Sequence, residues 1–261
     1  MKAKVMSLSG SAAKFLADGA KAWNLSKGTL IALMSVPFIV ALAGVAAALL
    51  GKDVYKWFTG EDRFAETLQV LFYTLGLVLS LLVARHHWRT GRKWIGLAYL
   101  GASFALFFLI GEELSWGQRV FRWQTPEAFQ QGNKQEETNL HNIYGVGDTF
   151  KWIQLLVGAY GAILPLAALR SSTLKRYREE ASWLIPHYTL VPYFLMMFLW
   201  RIYRNLWEEP DRFYLVVADY NEVMELSLAI GIFLFMVFQI RRIRARQTAA
   251  VPTRTAAFDL N

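Results

Sequence analysis

Thr29-Leu30-Ile31-Ala32-Leu33-Met34-Ser35-Val36-Pro37-Phe38-Ile39-Val40-Ala41-Leu42-Ala43-Gly44-Val45-Ala46-Ala47-Ala48-Leu49-Leu50 reads as one uninterrupted apolar segment. None of its 22 residues is Asp, Glu, Lys, Arg or His. As a helix rising about 1.5 Å per residue it reaches about 33 Å, enough to cross roughly 30 Å of hydrocarbon. Four further stretches of this kind follow, at about 66–84, 94–111, 152–169 and 183–200. A sixth, at about 221–240, starts with polar residues and then becomes strongly apolar. Backbone groups in lipid must find their partners within the segment, so each stretch is expected to be helical. The alternating ten-residue strands of a membrane barrel are absent.

Composition agrees. Hydrophobic residues make up 55% of the 261 and charged ones 18%, against the 45–50% and about 25% usual for soluble domains. The chain has ten Trp, a residue that gathers at membrane–water interfaces. It has no Cys, which removes disulfides, thiolate metal sites and cysteine nucleophiles. The expected fold is all-α: a six-transmembrane-helix bundle over 29–240, with a short outer-surface helix or loop between the third and fourth spans.

The formal charge of +8 would suit nucleic acid, but its distribution points to topology instead. With a cytoplasmic N-terminus, the inside segments are 1–28, 85–93, 170–182 and 241–261. They hold 18 Lys/Arg and four acids, or +14; the remainder holds 10 Lys/Arg and 16 acids, or −6. Cytoplasmic loops carry this excess of Lys and Arg, so the chain is expected in an inner membrane with both termini in the cytoplasm and no nucleic-acid partner. Residues 1–28 place Val5, Ala12, Leu16, Ala20 and Trp23 at helical spacing, an amphipathic segment for the inner leaflet. His86 and His87 fall in a basic cytoplasmic loop and are expected at the interface. Residues 241–261 are expected to form a basic, disordered tail.

Polar chemistry concentrates at the other end. The third span runs directly into Gly111-Glu112-Glu113-Leu114-Ser115-Trp116-Gly117-Gln118-Arg119. A helix continued through this string puts Glu112, Ser115, Trp116 and Arg119 on one face. Thr125-Pro126-Glu127 is a helix start and predicts a short helix over 126–132. The sixth span opens with Asp219, Glu222 and Glu225 at i, i+3 and i+6, and the fifth ends with Arg201 and Arg204. An ion pair between one of these arginines and one of these acids is expected, because an Arg at the edge of hydrocarbon is costly alone.

The string at 111–119 and the pattern Asn133-x-Gln135-x-Glu137-x-Asn139-Leu140-His141-Asn142 resemble a signature of uncharacterised bacterial integral membrane proteins, over roughly residues 60–240. That resemblance implies a fold type and no activity. The ceramidase and progestin-receptor-like membrane hydrolases use seven spans and a zinc held by three histidines. Here only His141 falls on the outer side, so that zinc site cannot assemble.

Glu112, Glu113, His141, Glu222 and Glu225 are therefore the candidate catalytic cluster. Arg119, Trp116, Arg201, Arg204, Asn139 and Asn142 are the candidate substrate-binding residues. Carboxylates can serve as acid or base, or hold a hard cation such as Mg²⁺, Mn²⁺ or Ca²⁺, while arginine forks suit a phosphate or carboxylate headgroup. Four carboxylates brought together require a cation, shared protons or an enclosed arginine; a divalent cation held by Glu112, Glu113, His141, Glu222 and Glu225 is the expectation. No haem, nucleotide or Cys-ligated metal is expected. Three functions remain open: an enzyme acting on a lipid or lipid-linked substrate at the outer leaflet, a subunit or assembly factor docking a membrane partner protein, and an ion-coupled transporter.

Overall fold

The computed structural model describes residues 2–127, 138–140, 143, 145–171, 178–207 and 211–250. Ten α-helices carry the argument: α1 (Lys2–Trp23), α2 (Lys27–Leu50), α3 (Lys52–Thr59), α4 (Phe64–Arg89), α5 (Lys93–Glu113), α6 (Gln118–Phe121), α7 (Gly147–Arg170), α8 (Arg178–Leu184), α9 (Val191–Leu206) and α10 (Tyr214–Ala250). Among the described residues there is no strand, and six helical stretches are long and apolar enough to cross a membrane. The chain is an integral, multi-pass membrane protein.

The spans form where hydropathy predicts them, with longer ends. Ser26 caps α2, its hydroxyl accepting the Thr29 N–H at 3.1 Å. The fifth span is broken: α8 stops at Leu184, a tight 3-10 turn covers Tyr188–Leu190, and α9 begins with Pro192 in its first turn. Pro186 lies in that break, where a missing N–H interrupts nothing.

α10 is the central pillar. Of its most apolar window 61% is buried, against 22–39% for the other five spans. It packs on α4, α9 and α2, while α5 lies against the outside of α4 and α7 against the outside of α9. The α7–α9 contact is close because Gly158 and Gly161 leave room: a Cβ at Gly161 would fall 2.1 Å from the Phe194 ring. Small residues that let helices approach are the usual glue between spans, since lipid offers no hydrophobic drive for helix association. On the far sides α5 and α7 share no extended interface. A stacked ring pair, Phe108 with Phe150 at 6.2 Å between centroids, bridges them.

The arginine-rich end differs from its sequence reading in two ways. The helix continues through 241–250 instead of becoming a disordered tail; 251–261 lie outside the described residues. Arg242 explains the continuation. It donates to the Ser182 carbonyl at 2.6 Å and to Gln239 Oε1 at 3.0 Å, and lies 4.0 Å over the Trp183 ring. Arg246 reaches Glu179 at 3.0 Å. His87 is not interfacial but fully buried, edge-on to Trp183 at 4.4 Å.

At the same end α1 docks on the bundle. Trp23 is buried and its indole N–H donates to Thr189 Oγ1 at 2.8 Å. The Tyr188 hydroxyl donates to the Phe15 carbonyl at 2.8 Å. Leu16, Ala20 and Trp23, three of the five stripe residues, thus face protein.

Candidate functional site

At the carboxylate end, α4, α5, α7, α9 and α10 surround a cavity of about 410 Å³. That size falls within the roughly 300–1,000 Å³ of small-molecule sites. Six glutamates line it: Glu61, Glu66, Glu112, Glu113, Glu222 and Glu225. Arg201, Arg204 and Lys151 line it too, while Leu109, Val157, Leu228 and Ile232 form the apolar part. The two carboxylates that end the third span and the two that open the sixth therefore meet, together with both arginines of the fifth.

Helix register fixes the depth of this cluster. Glu222 lies eight residues into α10, Gln154 seven into α7, Gln69 five into α4, and Arg201 five before the end of α9. At about 1.5 Å per residue the cluster sits roughly 7–12 Å below the helix ends. Glu112 and Glu113, the last two residues of α5, stay at the helix end.

Arg201 is 5% exposed and stands 3.9 Å from Glu225, the arginine–carboxylate pairing expected between the fifth and sixth spans. Neutral amides mediate it. Arg201 Nε donates to Gln154 Oε1 at 2.6 Å and a second guanidinium N–H reaches the same oxygen. The Gln154 amide donates in turn to Glu225, as does Asn221. Trp200 donates to Asn221 at 3.3 Å. On the other side of α10, Gln69 donates to Glu222 Oε2 at 3.0 Å and to the Glu222 carbonyl at 3.1 Å. Asp219, grouped in sequence with Glu222 and Glu225, instead pairs with Lys56 of α3 at 2.6 Å.

Glu112 does different work. It is 1% exposed, and its two oxygens accept from the Trp116 indole at 2.7 Å and from the Leu140 N–H at 2.8 Å. The bond to Trp116 does not arise from a continued helix. α5 ends at Glu113, and Ser115, Trp116 and Gly117 take positive φ of 46°, 52° and 92°. The left-handed region costs a non-glycine residue on the order of 1 kcal/mol, which the neighbouring bonds must offset. This turn folds the Trp116 ring back against Gly111. It also sets Ser115 Oγ to accept from fully buried Asn139 at 3.4 Å. Glu112 and Asn139 therefore pin the returning segment 138–140 to the end of α5.

His141 and Asn142 lie outside the described residues, as do the Arg119 side chain and most of the 126–132 helix. Among the described residues no three of His, Asp and Glu come close enough to hold a metal ion. Of the three ways to reconcile four carboxylates, the visible one is the enclosed arginine. Tyr73, Gln69, Gln154 and Glu66 escaped the sequence reading. The two glutamines and Tyr73 are uncharged and fall within apolar runs, where no charge pattern marks them. Glu66 sits at a span start, as an ordinary interfacial acid would.

No family model, no curated protein and no solved structure matches the chain. Its function therefore has to be read from this cavity.

Proposed function

We propose that this protein is a membrane-embedded hydrolase or transferase that takes a lipid or lipid-linked substrate into the cavity, with Glu222 and Glu225 at the reacting centre. The observation that carries the reading is the polarity gradient of one cavity. Its upper part is lined by glutamates, arginines and Asn221, and its deep part by Leu109, Val157, Leu228 and Ile232. An amphiphile has the same gradient. The flank between α5 and α7, crossed by the Phe108–Phe150 stack, is the side from which a lipid would enter.

The two carboxylates divide the work by their surroundings. Glu225 is fixed by Gln154 and Asn221 and stands beside Arg201, so it supplies a positioned negative charge. Glu222 accepts from Gln69 through one oxygen and keeps the other for the substrate; it is the group that takes and returns a proton. Arg204 and Lys151, nearer the helix ends, meet the substrate's polar end. The charge split of the sequence supports an inner membrane, with the cavity opening to the outer leaflet.

The test compares lipid extracts, by chromatography and mass spectrometry, from cells expressing the wild type or Glu222→Gln. Both proteins must first be shown to be equally abundant and equally stable in the membrane. The wild type should deplete one lipid class and build up its product, while Glu222→Gln leaves both unchanged. Identical lipid profiles for the two would end the enzymatic reading.

A further inference from the structure

We infer that a second cavity, at the arginine-rich end, binds one anionic phospholipid, its phosphate held by Arg242 and His187 and its chains leaving along α7. The site is separate from the carboxylate cavity and does not depend on the function proposed for it.

The break in the fifth span creates the space. α8 stops at Leu184, and the chain turns through Pro186 and His187 before the helical path resumes. No continuous helix therefore fills the gap between the last turns of α7 and α10, and a cavity of about 330 Å³ remains there. Ala168 and Leu169 of α7 line one side, Phe238 and Arg242 of α10 another, and Ser182 and His187 of the broken span a third.

Its polar groups are donors. No Asp or Glu is among the described residues that line it, whereas Arg242 and His187 are. Arg242 has no carboxylate within ion-pair distance among the described residues. Of the acids at this end, Glu179 pairs instead with Arg92 at 2.6 Å and Arg246 at 3.0 Å, and Asp18 and Glu180 are exposed. The oxygens Arg242 does use, the Ser182 carbonyl and hydroxyl and the Gln239 amide, are all neutral. They leave its charge in place, and a guanidinium fork matches a phosphate. His187 adds a neutral donor. Its Nδ1 accepts from the Thr189 N–H and lies 2.9 Å from the Thr189 hydroxyl, which itself accepts from Trp23. With Nδ1 accepting, the ring proton sits on Nε2, which has no hydrogen-bond partner among the described residues.

The remaining wall is apolar, through Ala168, Leu169 and Phe238. Leu169 and Leu166 on α7 are 47% and 46% exposed, and they continue that apolar surface out of the cavity along a membrane span. A free phosphate would leave this wall unmatched, and an uncharged lipid would leave Arg242 without a counter-charge. A zwitterionic lipid carries its own cation, which would stand beside Arg242 and Arg246 on the shared Trp183 ring. A phospholipid of net negative charge meets both requirements, as basic pockets between spans do for such headgroups. It would come from the leaflet at this end, the inner one in the proposed orientation.

The experiment titrates purified, delipidated protein in an uncharged detergent with phosphatidylglycerol, with phosphatidylcholine of the same chains, or with inorganic phosphate. Native mass spectrometry counts bound lipid, and thermal unfolding reports stabilisation. One phosphatidylglycerol should bind at least about tenfold more tightly than phosphatidylcholine and raise the unfolding midpoint. Inorganic phosphate at the same concentration should leave the midpoint unchanged. Arg242→Gln should cost phosphatidylglycerol about tenfold and leave phosphatidylcholine unchanged. Ala168→Phe fills the cavity without removing the Arg242 bonds; it guards against an Arg242 variant that fails to fold, and it should abolish the tight binding event. Arg89→Gln removes the same charge from an exposed position at this end and should leave that event intact. Equal binding of the two lipids overturns the inference, and so does a phosphate response as large as the lipid's. Unchanged tight binding in Ala168→Phe overturns it too, as does a loss on Arg89→Gln equal to that on Arg242→Gln, the mark of diffuse attraction to a basic face.

Discussion

Glu112→Gln separates an anchoring carboxylate from a reacting one. The wild-type side chain is 1% exposed and accepts from Trp116 at 2.7 Å and from the Leu140 N–H at 2.8 Å. Glutamine has the same shape, but only its carbonyl oxygen can accept. One charge-assisted bond, worth about 1.5–3 kcal/mol, is lost, and the new amide N–H₂ is left facing a donor. We expect a loss of about 2–3 kcal/mol. At roughly 2–4 °C per kcal/mol for a chain of this size, the unfolding midpoint should fall by about 4–12 °C. Differential scanning fluorimetry in mild detergent measures that shift. Chymotrypsin gives a local readout, because cleavage after Leu140 should accelerate once Glu112 no longer holds its N–H. An unchanged midpoint together with an unchanged cleavage rate would refute the anchoring role.

Gly161→Ala places a methyl against the Phe194 ring and should destabilise by about 1–3 kcal/mol, whereas Gly101→Ala, with open space around it, should melt within a degree or two of wild type. Gln154→Leu removes the amide between Arg201 and Glu225 and should cost about 1–3 kcal/mol through the polar groups it strands; a variant as stable as wild type would show that the pair needs no mediator. Lys56→Ala should cost less than about 1 kcal/mol, since the Lys56 side chain is 45% exposed and surface ion pairs contribute little. Alkaline phosphatase fused after Asn261 should be inactive and fused near Gly132 active; the opposite pattern would invert the proposed orientation.

The spans were legible because hydropathy is a property of composition within a window, and a lipid-facing helix must be apolar nearly everywhere. The meeting of Glu112, Glu113, Arg201, Glu222 and Glu225 was legible for a related reason: charged residues near hydrocarbon are rare enough to stand out. What escaped notice was neutral or conformational. Gln69 and Gln154 carry no charge, yet they set the geometry of Glu222 and Glu225. The turn at Ser115–Gly117 has one glycine, and left-handed φ at Ser115 and Trp116 follows from tertiary bonds to Asn139 and Glu112 that no local pattern encodes. Arg242 and His87 were read as loop and tail residues because both lie among basic neighbours. Their burial depends on Trp183, about 60 residues from Arg242 and 96 from His87.

α10 is unbroken from Tyr214 to Ala250, about 55 Å of helix with no proline inside it. A rod of this kind behaves as an axle. Glu222 and Arg242 lie 20 residues apart on it, about 30 Å, one facing the cavity and the other seated on Trp183. Any turn of the helix that re-aims Glu222 must also drag Arg242 across the indole, so the contact at the arginine-rich end holds the angular setting of the carboxylates at the other.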